Sequence, residues 1–71
     1  MTHADTVENF LKEHQNAYCD DCLSAILKIY PRQQVNQICR ENLRGVIRRR
    51  EGKCFRCEKY KLVNRYEVPK I

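Results

Sequence analysis

Cys19-Asp-Asp-Cys22 and Cys54-Phe-Arg-Cys57 are the two stretches that decide how this chain folds. Each holds two thiols separated by two residues, and 31 residues lie between the two pairs. Two such pairs can place four sulfur atoms about 2.3 Å from one Zn²⁺ ion and complete a tetrahedral shell. The separation exceeds the 15 to 20 or so residues of a simple zinc ribbon, so a sizeable element must lie between the pairs. The pattern predicts one structural Zn²⁺ ion, bound by Cys19, Cys22, Cys54 and Cys57.

Other roles for these four cysteines fit the chain less well. A C-x-x-C redox pair normally opens a helix inside a larger α/β domain than 71 residues can build. A catalytic zinc ion keeps an open position and usually takes His or carboxylate ligands, whereas His3 lies near the start of the chain and His14 falls within a predicted helix. Disulfides need an oxidising compartment, and the opening sequence lacks the basic start and apolar stretch of a secretory leader. We therefore expect a closed structural site in a cytoplasmic protein.

The chain is short enough that its hydrophobic core is marginal without help. Its 71 residues allow one domain, and a chain of this length buries only about 60 % of the surface that its unfolded form exposes. Zinc binding contributes about 10 to 16 kcal/mol in small zinc-binding peptides, which offsets a small core. No apolar run approaches the ~18 residues of a membrane span. We expect a flexible N-terminus over 1–4, one zinc-containing domain over 5–66 and a C-terminal tail over 67–71.

Charge is distributed unevenly along the chain. Fourteen Lys and Arg residues against nine Asp and Glu residues give a formal net charge of +5. The first 30 residues carry −3, whereas residues 31–71 carry twelve cations against four acids and a net +8. An acidic N-terminal part followed by a strongly basic C-terminal part is typical of proteins that bind nucleic acid. A solvated surface that is merely lopsided is the alternative.

Apolar spacing predicts two helices on either side of the first cysteine pair. The first spans about Thr6 to Asn16, with Asp5 or Thr6 as its N-cap. The second is capped by Asp20 or Asp21 and ends before Pro31, because the residue that precedes a proline is driven out of the helical region. Its apolar stripe consists of Leu23, Ile26, Leu27 and Tyr30.

A third helix is predicted from about Arg32 to Arg44, ending at Gly45 as a left-handed cap. Its apolar side includes Cys39, which we expect to be a small buried hydrophobe rather than a ligand. Asn42 also falls on the apolar side, for no reason visible in the sequence. Glutamine pairs bidentately with adenine and arginine with guanine in the major groove, so the opposite face is predicted to contact bases. That face carries Gln33, Gln37, Arg40, Glu41 and Arg44, with Gln34 at its margin.

After Gly45 the pattern changes to that of a β-hairpin. Val46 to Arg50 and Tyr60 to Tyr66 have the composition of strands, and the second cysteine pair lies between them. Six arginines and lysines fall within residues 48–59. This density is typical of a phosphate-binding hairpin, and a solubilising strand edge is the alternative.

In this order of elements the chain resembles a winged helix-turn-helix DNA-binding domain with a built-in zinc site. The likeness covers about Asp5 to Tyr66. It depends on Pro31-Arg-Gln-Gln-Val-Asn-Gln-Ile-Cys-Arg40 at the position of the recognition helix and on Gly45-Val-Ile47 at the passage into the wing. It implies a mainly α fold of three helices plus a small β-hairpin, stapled by zinc, with the first cysteine pair in place of the short strand between the first two helices.

The resemblance implies a sequence-specific module for double-stranded DNA, in a transcriptional regulator or a DNA-targeting component. The third helix would enter the major groove. Base contacts are then expected from Gln33, Gln34, Gln37 and Arg40. Phosphate contacts are expected from Arg32, Arg44, Arg48, Arg49, Arg50 and Lys53. One module reads only a few base pairs, so a homodimer or a larger assembly is expected, and neither a membrane nor a small-molecule substrate is implied.

Three other functions fit the sequence less well than DNA binding. A zinc-stapled module that binds an acidic protein partner through its basic face is the main alternative, because fold does not settle function. RNA binding is disfavoured, since Tyr18, Tyr60 and Tyr66 are too few and too scattered to serve as stacking residues. An enzyme is disfavoured because the chain shows no Ser/His/Asp set and no phosphate-cradling glycine loop.

Overall fold

Three helices and three strands follow one another in the computed structural model, which describes residues 2–43 and 45–67. In chain order they are α1 (His3–Glu13), β1 (Tyr18–Cys19), α2 (Asp20–Leu27), α3 (Arg32–Gln37) with its π-helical continuation (Ile38–Asn42), β2 (Ile47–Lys53) and β3 (Tyr60–Tyr66).

Helix α1 begins at a capping box. Thr2 Oγ1 accepts the backbone N–H of Asp5 at 3.1 Å, and Asp5 Oδ2 accepts the backbone N–H of Thr2 at 3.4 Å. These bonds satisfy two of the amide groups that the start of a helix leaves without partners. The helix therefore begins three residues earlier than predicted, and His3 and Ala4 belong to it. Met1, predicted to be part of a flexible N-terminus, lies outside the described residues.

Helix α2 begins at the first cysteine pair, with Cys19 as its N-cap. It ends at Leu27, because Lys28 adopts a left-handed backbone conformation with φ 56°. The predicted continuation to Tyr30 is wrong: the Tyr30 side chain is 64 % exposed, and Ile29 is buried in its place.

Helix α3 widens into a π-helical turn before it ends. The backbone N–H of Leu43 bonds to the carbonyl of Ile38 at 2.9 Å, five residues earlier instead of four. A turn with more residues rotates the side chains that follow it, so Leu43 is buried and Asn42 is exposed. The predicted conflict of Asn42 with an apolar face is thereby removed. Cys39 is 1 % exposed, which confirms the prediction that it is a buried hydrophobe.

The sheet is antiparallel with strand order β1–β3–β2. Strands β2 and β3 pair along their whole length. Strand β1 adds two residues to the other edge of β3, with Tyr18 opposite Asn64 and Cys19 opposite Val63. The first cysteine pair is therefore attached to the same central strand as the hairpin that carries the second pair.

The predicted fold class is wrong. The sequence predicts a mainly α winged helix-turn-helix with a two-stranded hairpin, whereas the described residues form a mixed α/β fold with a three-stranded sheet. The third strand is β1, at Tyr18–Cys19, where no strand is predicted. Two residues are too few to show an alternating pattern, and their pairing depends on β3, far along the chain.

The core has two parts. The larger part joins the three helices to the sheet through Leu11, Leu23, Val35 and Ile47, among others. The smaller part consists of Cys19, Cys22, Cys54 and Val63. Thiols therefore make up most of the core at one end of the sheet, where aliphatic side chains would otherwise be needed.

Candidate metal centre

Two segments position the four cysteines of what we call the thiol cluster (Cys19, Cys22, Cys54 and Cys57). Cys19 ends β1 and caps α2, and Cys22 lies in the first turn of that helix. Cys54 and Cys57 lie in the loop over residues 54–59, between β2 and β3. This loop folds onto the chain before β1, where the backbone N–H of Phe55 donates to the carbonyl of Ala17 at 2.8 Å.

The geometry of the thiol cluster matches a tetrahedral metal site. All four Sγ atoms lie within 4.8 Å of one another, with 3.8 Å from Cys19 to Cys57 and 3.6 Å from Cys22 to Cys54. Four metal–sulfur bonds of about 2.3 Å give a tetrahedron with an edge of about 3.8 Å. A disulfide would require about 2.05 Å. The predicted grouping is confirmed: these four residues can hold one metal ion, with three thiols buried and Cys57 partly exposed.

Backbone amides face two of the sulfur atoms. The N–H of Cys22 donates to Cys19 Sγ, and the N–H of Cys19 donates to Cys54 Sγ, both at 3.4 Å. Burial raises the pKa of Cys19 to about 12 and also raises the pKa of Cys22. Burial acts in the same direction on Cys54, but backbone N–H groups outweigh it and lower the pKa of that thiol to about 6. The cluster thus favours one thiolate at neutral pH, and a cation would displace the remaining protons.

A buried polar network lies directly beside the thiol cluster. Arg49 Nη1 donates to Asp20 Oδ1 at 3.1 Å and to Asn64 Oδ1 at 2.7 Å. Asn64 and Asn36 each donate to the Asp20 carboxylate, at 2.8 and 3.1 Å. The side chains of Arg49 and Asp20 are only 13 % and 10 % exposed. Because Asp20 follows Cys19, this network connects the metal centre to β2, β3 and α3.

This network changes the role expected of Arg49. The sequence predicts a phosphate contact, but the guanidinium is enclosed and paired with Asp20. The neighbouring Asp21 has partners too: Lys61 donates to it at 2.8 Å and Arg32 lies 3.3 Å away. The hydrogen bond from Lys61 lowers the pKa of Asp21. Both residues between the first two cysteines are therefore engaged in holding other elements.

The predicted base-contacting residues remain at the surface. Gln33, Gln37 and Arg40 are separated by four and three residues and therefore lie along one outer stripe of the helix. Two side-chain contacts of this set are seen among the described residues. Gln34 Nε2 donates to the carbonyl of Tyr30 at 3.1 Å, and Arg40 pairs with Glu41 at 3.1 Å. The exposed set is Gln33, Gln34, Gln37 and Arg40.

Four of the predicted phosphate-contacting residues are exposed as well: Arg32, Arg48, Arg50 and Lys53. Arg48 lies 3.9 Å from Glu67 and Lys53 lies 3.5 Å from Glu58. Such exposed pairs contribute only about 0 to 1 kcal/mol, so a phosphate can compete for these cations. Arg44 and the tail from residue 68 onward lie outside the described residues.

Sequence reasoning missed two surface residues. Arg65 is exposed and stands directly opposite Arg48 across the hairpin. Phe55 is 63 % exposed and, with Arg65, lines a groove of about 460 Å³ between residues 15–17 and the loop over 54–59. No composition or spacing signal identifies this groove, because it forms only when the loop folds onto Ala17.

No family model matches this chain, and no curated protein or solved structure does either. Within residues 2–43 and 45–67, no helix has the length and apolar character that crossing a bilayer requires. The assignment of a function therefore depends on the site itself.

Proposed function

We propose that this protein is a zinc-stabilised module that binds double-stranded DNA, as a transcriptional regulator or a DNA-targeting component would. The observation that carries the proposal is the outer face of α3 and its π-helical turn. Gln33, Gln37 and Arg40 are exposed there, while Val35 and Cys39 on the opposite face are buried. Amide and guanidinium groups are those that read adenine and guanine in the major groove.

Zinc is the cation that fits the thiol cluster best. Four thiolates close a tetrahedral shell and leave no position for a substrate, which is typical of structural zinc sites. Soft sulfur ligands disfavour magnesium and calcium. When bound, zinc supplies cross-linking between the β1–α2 junction and the loop over 54–59, and no chemistry beyond that.

The metal centre also supports the orientation of α3. Asn36, on α3, donates to Asp20 at 3.1 Å, and Arg32, at its first position, lies 3.3 Å from Asp21. Both aspartates lie between the first two cysteines. A helix that is held from a rigid site keeps its exposed side chains in a fixed direction, which recognition of base edges requires.

An anionic partner would relieve a repulsion in the sheet. Arg48 and Arg65 stand directly opposite each other, and Arg50 lies two residues along β2 on the same face. Like charges opposite each other destabilise a strand pair, so these cations do not serve the stability of the hairpin. Glu67, 3.9 Å from Arg48, offsets only part of this positive charge, and a phosphate backbone across the face would supply further negative charge.

Titration of zinc-loaded protein with a fluorescent random-sequence duplex tests the proposal. We expect affinity to fall steeply between about 50 and 200 mM salt, since phosphate binding releases counterions. Arg48→Gln is expected to reduce the salt slope by about 0.9, whereas Lys12→Gln, which removes an exposed cation on α1, leaves it unchanged. Gln37→Ala is expected to change the preference among defined duplexes without changing the salt slope.

Two results would overturn this proposal. The first is an absence of duplex binding by the zinc-loaded protein at the lower salt concentration, which would favour an acidic protein partner. The second is an equal loss of salt dependence in Arg48→Gln and Lys12→Gln, which would mean that only net charge matters.

A further inference from the structure

We infer that the groove beside the metal centre binds an unpaired nucleotide of a single-stranded nucleic acid. This inference depends on the proposed function only in that the partner is a nucleic acid. The groove lies between residues 15–17 and the loop over 54–59, and the residues that line it do not include those of the outer face of α3. The groove shares Arg65 with the cationic face proposed for the duplex backbone, so the tests below use Phe55 and Arg40, which each belong to one surface only.

Phe55 provides a stacking surface that is held in place. Its backbone N–H bonds to the carbonyl of Ala17 at 2.8 Å, and its ring meets the ring of Tyr18 edge to face at 5.8 Å. Tyr18 is buried and is itself supported edge to face by Phe10 at 5.2 Å. Phe55 nevertheless remains 63 % exposed, next to the metal ligand Cys54. A fixed, exposed aromatic ring is what nucleic-acid proteins use to stack a base of any sequence.

Charge at the groove suits a phosphate group. Lys53 and Glu58 both line it and lie 3.5 Å apart, so they largely neutralise each other. Arg65 lines it too and has no carboxylate within 4 Å among residues 2–43 and 45–67. Arg48 stands directly opposite Arg65 beside the groove and lies 3.9 Å from Glu67. The groove therefore combines an aromatic face with a net positive charge.

Size and polar lining agree with a nucleotide. A volume of about 460 Å³ falls within the roughly 300 to 1,000 Å³ of small-ligand sites. Gln15 and Asn16 line the wall opposite the loop and offer amide groups to a base edge. Gln15 Nε2 already donates to the carbonyl of Lys12 at 2.8 Å, which fixes the orientation of that side chain.

Tryptophan fluorescence offers a direct test, because the chain contains no Trp. In Phe55→Trp, addition of an oligonucleotide of about ten thymidines is expected to quench the new fluorescence as a base stacks on the indole. Tyr60→Trp is the matched control, since Tyr60 is 74 % exposed but does not line the groove. An oligonucleotide of about ten uridines, added in parallel, distinguishes RNA from DNA as the source of the nucleotide.

Affinity measurements with the same oligonucleotides complete the test. Phe55→Ala is expected to weaken thymidine binding about fivefold or more, and Tyr60→Ala less than about twofold, at equal zinc content. For the random duplex we expect the opposite sensitivity. Arg40→Gln should weaken duplex binding, whereas Phe55→Ala should leave it unchanged. If the protein binds the duplex but not the oligonucleotides, the groove proposal fails. If it binds the oligonucleotides but not the duplex, the proposed function fails.

The inference is overturned if Phe55→Trp shows no quenching with either oligonucleotide, or if Tyr60→Trp is quenched equally. Equal quenching of Phe55→Trp by poly-glutamate would also overturn it, because the groove would then be selecting negative charge and not a base.

Discussion

The buried pair of Arg49 and Asp20 allows a prediction of stability. Arg49→Met removes the guanidinium but keeps much of the aliphatic length of the side chain. The Asp20 carboxylate, 10 % exposed, is then left with Asn64 and Asn36 as its only side-chain donors among the described residues. A buried charge without its counter-charge is strongly unfavourable.

The size of the effect follows from this burial. Removing one partner of a buried ion pair costs about 3 to 5 kcal/mol. In a domain of this length about 1 kcal/mol lowers Tm by roughly 4 to 8 °C, so we expect Tm to fall by at least about 12 °C. Arg48→Met is the matched control, because its side chain is 62 % exposed and its pair with Glu67 spans 3.9 Å. Arg48→Met is expected to lower the free energy of unfolding by at most about 1 kcal/mol.

Thermal unfolding followed by circular dichroism, at a fixed excess of zinc, measures both variants. A double variant, Asp20→Asn with Arg49→Met, removes both charges and should be more stable than the sum of the single effects, by about 2 kcal/mol. Equal Tm values for Arg49→Met and Arg48→Met would refute the reasoning, and so would strictly additive effects in the double variant. Because the Arg49 guanidinium is enclosed, we also expect Arg49→Met to leave the salt slope of the proposed duplex binding unchanged.

Two further predictions concern the cysteines. Cobalt(II) titration of the reduced protein should saturate at one ion per chain with the absorption of a tetrathiolate site; Cys57→Ser should weaken cobalt binding, whereas Cys39→Val should not. Burial raises the pKa of Cys39 to about 12, so the folded chain keeps that proton at a pH where the unfolded thiol loses it. The contribution of Cys39 to the free energy of unfolding should therefore be fully present below about pH 9 and fall as pH rises toward 12. In urea unfolding, Cys39→Val should make the decline of the unfolding free energy in this range shallower by up to about 1.4 kcal/mol per pH unit.

Features with a local cause were predictable from the sequence. The two cysteine pairs carry their chemistry in their own spacing, and the structure brings all four thiols together. Strand β3, Tyr60–Tyr66, has the predicted bounds because its composition alone specifies a strand. The burial of Cys39 follows from helical periodicity.

Features that depend on distant partners were not predictable. Strand alternation separates Arg49 from Arg48 and Arg50 and places it on the same face as Ile47, but its partner Asp20 is supplied by a distant part of the chain. Strand β1 exists only because β3 pairs with it. The shift of Asn42 to the surface depends on a single widened turn, which a period of 3.6 residues cannot anticipate.

The residues between two ligands of a C-x-x-C pair are usually regarded as spacers, but here both of them bind side chains of other elements. The Asp20 carboxylate accepts hydrogen bonds from Arg49, Asn36 and Asn64. The Asp21 carboxylate pairs with Lys61 and Arg32. We expect a variant that keeps every thiol but replaces both aspartates with alanines to bind one metal ion, because the four candidate ligands are unchanged. Helix α3 would then lose its contacts from Asn36 to Asp20 and from Arg32 to Asp21. Metal content alone would therefore not report whether α3 keeps the orientation that the proposed DNA binding requires.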